Sequence, residues 1–114
     1  MYDVTVIGAG PAGYVAALRA GQLGMKTALV ERGRVGGRAL YSGVLPSKGM
    51  LESARMFART KDAALFGIEG VDTSTLRFNP TTARRHVETA AARMGANIER
   101  RLKNAGVDIL KGEA

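Results

Sequence analysis

The sequence predicts an α/β fold in which a parallel sheet is assembled from βαβ units, and three observations predict it. A short β-branched, apolar run, Asp3 to Ile7, is followed at once by the spaced glycines Gly8-x-Gly10-x-x-Gly13. A helix-length segment and a second apolar run ending in Glu31 complete a strand–turn–helix–strand unit of about 30 residues, the usual size of a βαβ unit. A long amphipathic segment then leads into a third short apolar run, Val107 to Leu110. Short apolar strands alternating with helices read as a parallel sheet covered by helices.

Each element has its own signals. Asp3 to Ile7 suits a buried strand, being short and β-branched. Tyr14 to Leu23 is rich in Ala and Leu and has no proline, so the helix entered at Pro11 runs to about Leu23, with Gly24 as its terminator. Met25 to Glu31 reads as the second strand. Arg32 to Pro46 is glycine-rich and reads as irregular. Ser47 is an expected N-cap for a helix from about Lys48 to Thr60, with Glu52 in its early turns. Asp62 to Phe78 has too weak a pattern to assign. Asn79-Pro80 marks a helix start, with Asn as cap and Pro at the first helical position. Ala83, Val87, Ala90, Met94, Ile98 and Leu102 then recur at three- and four-residue steps, an apolar stripe that ends near Gly106. The opposite face carries Arg84, Arg85, Arg93, Arg100, Arg101 and Lys103. No internal repeat or low-complexity segment interrupts the pattern.

Composition narrows the function. At 114 residues there is room for one small domain. The chain has no cysteine, which excludes disulfides, thiolate metal sites and thiol catalysis within it. Its single histidine, His86, leaves no basis for a metal cluster and reads as a structural or surface residue without an acid–base partner. Met50, Met56 and Met94 read as packing residues. The net charge of +7 comes from cations scattered over helix faces without interleaved aromatics. A solvated basic surface is therefore expected, and a nucleic-acid role is not. No apolar run reaches membrane-spanning length. Met1 to Val4 has no basic region ahead of its apolar residues and reads as strand, not signal peptide, so a cytoplasmic location is expected.

The fingerprint carries the ligand chemistry. Gly8 permits a tight turn out of the strand, Gly10 lets backbone approach a pyrophosphate, and Gly13 lets the helix pack close to the sheet. The amides and positive dipole end of the helix opened by Pro11 and Ala12 attract an anion. Glu31, 23 positions after Gly8, is placed to accept bonds from ribose hydroxyls and to disfavour a 2′-phosphate. These features read as a Rossmann-type dinucleotide site without separating FAD from NAD.

The segment Gly36-Gly37-Arg38-Ala39-Leu40-Tyr41-Ser42-Gly43-Val44-Leu45-Pro46-Ser47-Lys48 resembles the active-site segment of the flavoprotein disulfide reductases, the family of dihydrolipoamide dehydrogenase, mercuric reductase and glutathione reductase. That segment runs Gly-Gly-Thr-Cys, three residues, Gly-Cys, an aliphatic residue and Pro-Ser-Lys. The Gly-Gly pair, Leu40, Gly43 and Pro46-Ser47-Lys48 match. Tyr2-Asp3-Val4, Gly13 to Ala17, Gln22-Leu23-Gly24 and Ala28-Leu29-Val30-Glu31 also resemble dihydrolipoamide dehydrogenase. The likeness is close to about Leu51, and looser through Gly106-Val107 and Gly112-Glu113-Ala114.

The resemblance implies FAD as cofactor and residues 1–114 as the N-terminal part of an incomplete, doubly wound FAD-binding domain. It implies Glu31 on the adenosine ribose, with Arg32 beside it, Gly36, Gly37 and Arg38 along the cofactor, Lys48 near the flavin, and backbone at Ala114 near the adenine. Tyr41 stands either against the flavin or half exposed. NAD(P)H would enter only through a nicotinamide domain that this chain lacks, and the family's histidine acid–base and dimerisation domain also lie outside it. The expected partners are a remaining chain or the other subunit of a split flavoenzyme, or a second copy in a homodimer. The departures are decisive for the chemistry: Ala39 and Val44 stand at the two redox cysteine positions, and neither can form a thiolate. What stays open is an NAD(P)H-linked flavin oxidoreductase of transhydrogenase or diaphorase type, or a non-catalytic nucleotide-binding module or truncated remnant. On either reading the chain by itself is expected to be inactive.

Overall fold

The computed structural model describes residues 1–114. Strand β1 (Val4–Ile7) leads into helix α1 (Pro11–Gln22) and strand β2 (Thr27–Glu31), as the fingerprint requires. Helices α2 (Gly37–Tyr41) and α3 (Val44–Lys61), a 3-10 turn (Ala63–Phe66), helix α4 (Pro80–Asn104) and strand β3 (Asp108–Lys111) follow. The three strands form one parallel sheet in the order β1–β2–β3.

Register decides which side chains share a face. Val6, Leu29 and Ile109 stand side by side across the three strands and pack with α1 and α4. Ala17 on α1 and Leu102 on α4 are fully buried against this row. The neighbouring row, Ile7, Val30 and Leu110, faces the other way and has no covering element: Ile7 is 68% exposed and Leu110 41%. Parallel sheets are ordinarily covered on both faces, so this side of the sheet is a bare apolar strip.

Helix α4 begins where the sequence places it. The Asn79 side chain accepts a hydrogen bond from the Thr82 amide at 3.0 Å, and Pro80 occupies the first position. Its buried seam is Val87, Ala91, Gly95 and Leu102, so the expected stripe is right at Val87 and Leu102 and wrong at Met94, which is 47% exposed. Small residues set this seam. A Cβ on Gly95 would lie 1.9 Å from the Tyr41 hydroxyl, and one on Gly49 would lie 2.5 Å from Val87. Those two close approaches seat α2 and α3 on α4.

Three local expectations are corrected. Arg32 to Pro46 is not irregular throughout: Gly37–Tyr41 is helical, and α3 already begins at Val44. Ser47 is not a cap but lies inside the first turn, where its hydroxyl donates to the carbonyls of Gly43 and Val44. Pro46 is the third residue of α3, a position where the missing N–H costs nothing because it has no intrahelical partner. Met56, expected to pack, is 57% exposed, and α3 buries no residue fully. His86 is exposed, as expected.

Candidate functional site

The site is built where β1 hands the chain to α1. Gly8 adopts φ +91°, a conformation that favours glycine, and its amide donates to the Val30 carbonyl at 2.8 Å. Gly13 fits only because it has no side chain: a Cβ there would stand 1.8 Å from the Gly8 carbonyl oxygen. Gly10, by contrast, faces open space, with no atom within 4 Å of where its Cβ would be. Its backbone is extended, and neither a side-chain cap nor an acidic residue occupies the first turn of α1. The amides of Ala12 and Gly13 have no acceptor within the helix. The entrance of α1 is thus open, amide-lined and uncompensated, which is the arrangement an oxyanion fills.

Glu31 at the tip of β2 turns toward this entrance. One carboxylate oxygen accepts from the Ala9 amide at 2.7 Å, the other from the Gly33 amide at 2.6 Å. These two bonds, the Ala9 one foremost, hold the carboxyl below its ordinary range; Lys111 and Arg32 add to the effect, and desolvation opposes it. A carboxylate offers about four acceptor positions, so two remain for hydroxyl donors.

The second glycine pair closes on the first. The Gly36 amide donates to the Ala9 carbonyl at 2.8 Å, and Gly36 has φ +106°. A Cβ on Gly37 would stand 2.9 Å from the Gly10 Cα. Gly8, Gly10, Glu31, Gly36 and Gly37 are therefore one cluster at the carboxyl ends of β1 and β2, where doubly wound folds bind ligands. Pro11 and Ala12 are exposed at its helix end.

Beside this cluster, a cleft of about 210 Å³ opens over the strand tips. Of the expected residues, Gly8, Glu31, Arg32 and Ala114 line it. Ile7, Val30, Gly112 and Glu113 also line it without having been expected to. Arg32 Nη1 meets Glu113 Oε1 at 2.8 Å, tying the tips of β2 and β3 together. Lys111 donates to the Gly33 carbonyl, and the Gly112 amide donates to the Glu31 carbonyl at 3.1 Å. No local signal could have revealed Glu113, because its partner lies 81 residues away. Arg38 and Lys48 line no part of this cleft; both are exposed, and neither takes part in any of the chain's salt bridges. Tyr41 is half-buried, with its hydroxyl donating to the Val35 carbonyl at 3.0 Å and Arg34 stacked 3.8 Å from its ring centre. Ala39 is half-buried in α2, and Val44 opens α3 with 53% exposure. No group of histidine and acidic side chains is arranged to hold a metal. No helix is long and apolar enough to cross a membrane.

Replacing Glu31 by Gln tests this geometry. The amide group of Gln can satisfy only one of the Ala9 and Gly33 donors and turns its own N–H toward the other. The expected loss is about 1–3 kcal/mol, the cost of leaving a polar group unpaired. Acid has the same effect on the native residue. A carboxyl held below its ordinary value of 4.5 contributes stability that is complete above that value and is lost as pH falls through the lower native one. Urea unfolding of Glu31→Gln against the parent chain should show a gap at pH 7 that narrows in acid; an equal gap at both pH values contradicts the assignment.

Residues 2–114 match the family described as pyridine nucleotide-disulphide oxidoreductase. The chain is 38% identical over 111 residues to a dihydrolipoyl dehydrogenase of Bacillus subtilis, covering 97% of this chain and 23% of that protein. It is 39% identical over 113 residues to a dihydrolipoyl dehydrogenase of Rhizobium etli, covering 99% and 23%. The crystal structure of LpdA from Mycobacterium tuberculosis superposes on it with a TM-score of 0.80 at 28% identity, covering 96% of this chain and 23% of that one. The chain thus spans under a quarter of the length of these relatives.

Proposed function

We propose that this chain, which belongs to the pyridine nucleotide-disulphide oxidoreductase family, supplies the adenosine-diphosphate part of an FAD site in an NAD(P)H-linked flavoprotein oxidoreductase that works without disulfide chemistry. The observation that carries the reading is the open amide-lined entrance of α1 with the Glu31 carboxylate turned toward it.

The residues fit the group. The free amides of Ala12 and Gly13 bind the diphosphate, and the bare Gly10 backbone lets it come close. Glu31 retains two acceptor positions for the ribose diol. The cleft bounded by Gly112 and Ala114 takes the adenine, and the Gly36–Gly37 turn steers the cofactor past Gly10. By the family resemblance, Arg38 is assigned to add positive charge along that path and Lys48 to the flavin end. FAD, when bound, supplies hydride acceptance from a reduced nicotinamide and onward electron transfer. Thiol exchange has no group to perform it, since Ala39 and Val44 occupy the cysteine positions and the chain has no cysteine elsewhere. The nicotinamide site is assigned to a domain outside residues 1–114, in the remainder of the enzyme or in a partner subunit.

Titration of the purified chain with FAD tests the reading. Saturable quenching of flavin fluorescence and co-elution of a yellow protein are expected. Adding NADH to residues 1–114 without oxygen should leave the flavin oxidised, because the nicotinamide site is proposed to lie outside them. A colourless chain with no saturable quenching overturns the proposal in favour of a non-catalytic remnant.

A further inference from the structure

We propose that the turn following α3 is a two-fold docking surface for a second copy of this chain, with Leu65 of each copy seated in an apolar cleft of the other. The surface lies roughly 27 Å along α3 from Val44, the length of 18 helical residues. The proposal stands independently of the nucleotide-site reading.

The turn holds its apolar side chains out in a fixed arrangement. Ala63 is buried and anchors it, and the Leu65 amide donates to the Asp62 carbonyl at 3.0 Å. Gly67, at φ +74°, returns the chain so that the Ile68 amide donates to the Ala63 carbonyl at 3.1 Å. Leu65 is left 83% exposed and Phe66 75%. Beside them opens a cleft of about 490 Å³, lined by Met56, Ala63, Phe66, Ile68 and Val71. Leu65 does not line it, so one surface carries both a projecting apolar side chain and an apolar recess. A two-fold contact brings each projection to the partner's recess, because in such a contact residue i meets j and j meets i. Removing these side chains from water drives the association. The charges obey the same symmetry. Arg59 and Lys61 end α3, Asp62 and Glu69 flank the turn, and none of the four takes part in the chain's salt bridges. Across a two-fold axis the cationic arm of one copy faces the anionic arm of the other, twice over. A partner of one charge sign would satisfy one arm and oppose the other, so the surface complements itself better than it complements a uniformly charged protein.

Sedimentation equilibrium of the purified chain tests this. A monomer–dimer equilibrium is expected over about 1–100 μM chain, the weak range of a small interface. Leu65→Asp changes an exposed position, so circular dichroism should show the fold intact while the chain becomes monomeric throughout. Arg59→Glu and Glu69→Arg should each weaken the dimer by about tenfold or more, since either one repeats a like-charge contact on both sides of the axis. Mixing these two variants should return association to near the parent level, because the mixed dimer pairs opposite charges at both contacts. A parent chain that stays monomeric at about 100 μM overturns the proposal and leaves the surface to another segment or protein. A dimer that survives Leu65→Asp overturns it as well, moving the contact to another face such as the bare strip of Ile7, Val30 and Leu110. Charge variants that fail to recover on mixing also overturn it.

Discussion

Gly13→Ala is expected to destabilise the native fold strongly. The new methyl carbon would lie 1.8 Å from the Gly8 carbonyl oxygen, 3.0 Å from the Gly8 carbonyl carbon and 3.4 Å from a Val6 methyl. Two of these are backbone atoms of the turn, so no rotamer change relieves the clash. α1 would have to lift away from β1, unpacking Ala9 and Ala17, both fully buried in the one core cluster. Overpacking alone costs about 1–3 kcal/mol, and separating a helix from its sheet adds the loss of burial on both sides. The expected total exceeds about 3 kcal/mol, a large part of the 5–15 kcal/mol that holds a typical domain together. Only 15 of the 114 residues are buried, which leaves little reserve. Urea unfolding followed by circular dichroism checks this: Gly13→Ala within about 1 kcal/mol of the parent would contradict the close helix–strand packing.

Gly10→Ala, three residues earlier, is expected to do the opposite. Gly10 has φ −70° and ψ −178°, open to any residue, and its Cβ would meet nothing within 4 Å. The fold should change by no more than about 1 kcal/mol, the scale of an N-cap glycine replaced by alanine. The open space is where the diphosphate is proposed to lie, so a methyl group there should weaken FAD binding. A steric cost of about 1–3 kcal/mol corresponds to roughly fivefold to 150-fold in dissociation constant. The contrast between two glycines of one motif separates architecture from binding. Equal FAD affinity in the parent and in Gly10→Ala, with the fold intact in both, would remove the ligand from this position.

What could be read from the sequence was what is local in it. β1, α1 and β2 rest on contiguous signals, and so does the start of α4, where Asn79 and Pro80 act within one turn. The glycine turn was legible because each residue's role follows from its missing side chain, and Glu31 because its partner Ala9 lies within the same βαβ unit. α2 was not legible. Its five residues open with glycine and have no side-chain cap; contacts from distant residues hold it, Gly36 to Ala9 and Tyr41 against Gly95. Ser47 misled because a serine before a helix-forming run looks like a cap, whereas here it bonds back into a turn already formed. Met94 misled because periodicity fixes a stripe without fixing its phase; the seam turned toward Gly95, the position that admits Tyr41. The cleft between β2 and β3 depends on a register set by residues some eighty positions apart, so Glu113 stood in the sequence only as part of the looser Gly112-Glu113-Ala114 likeness, with no role of its own.

The most direct test of the central claim is residue-by-residue observation of the backbone amides while ADP is added to the isotopically labelled chain. The account predicts that the largest resonance shifts fall on Gly10, Ala12 and Gly13, followed by Ala9 and Gly33 as Glu31 takes up the ribose. Shifts confined to α3 and the far half of α4, or none at these five amides at saturating ADP, would contradict it.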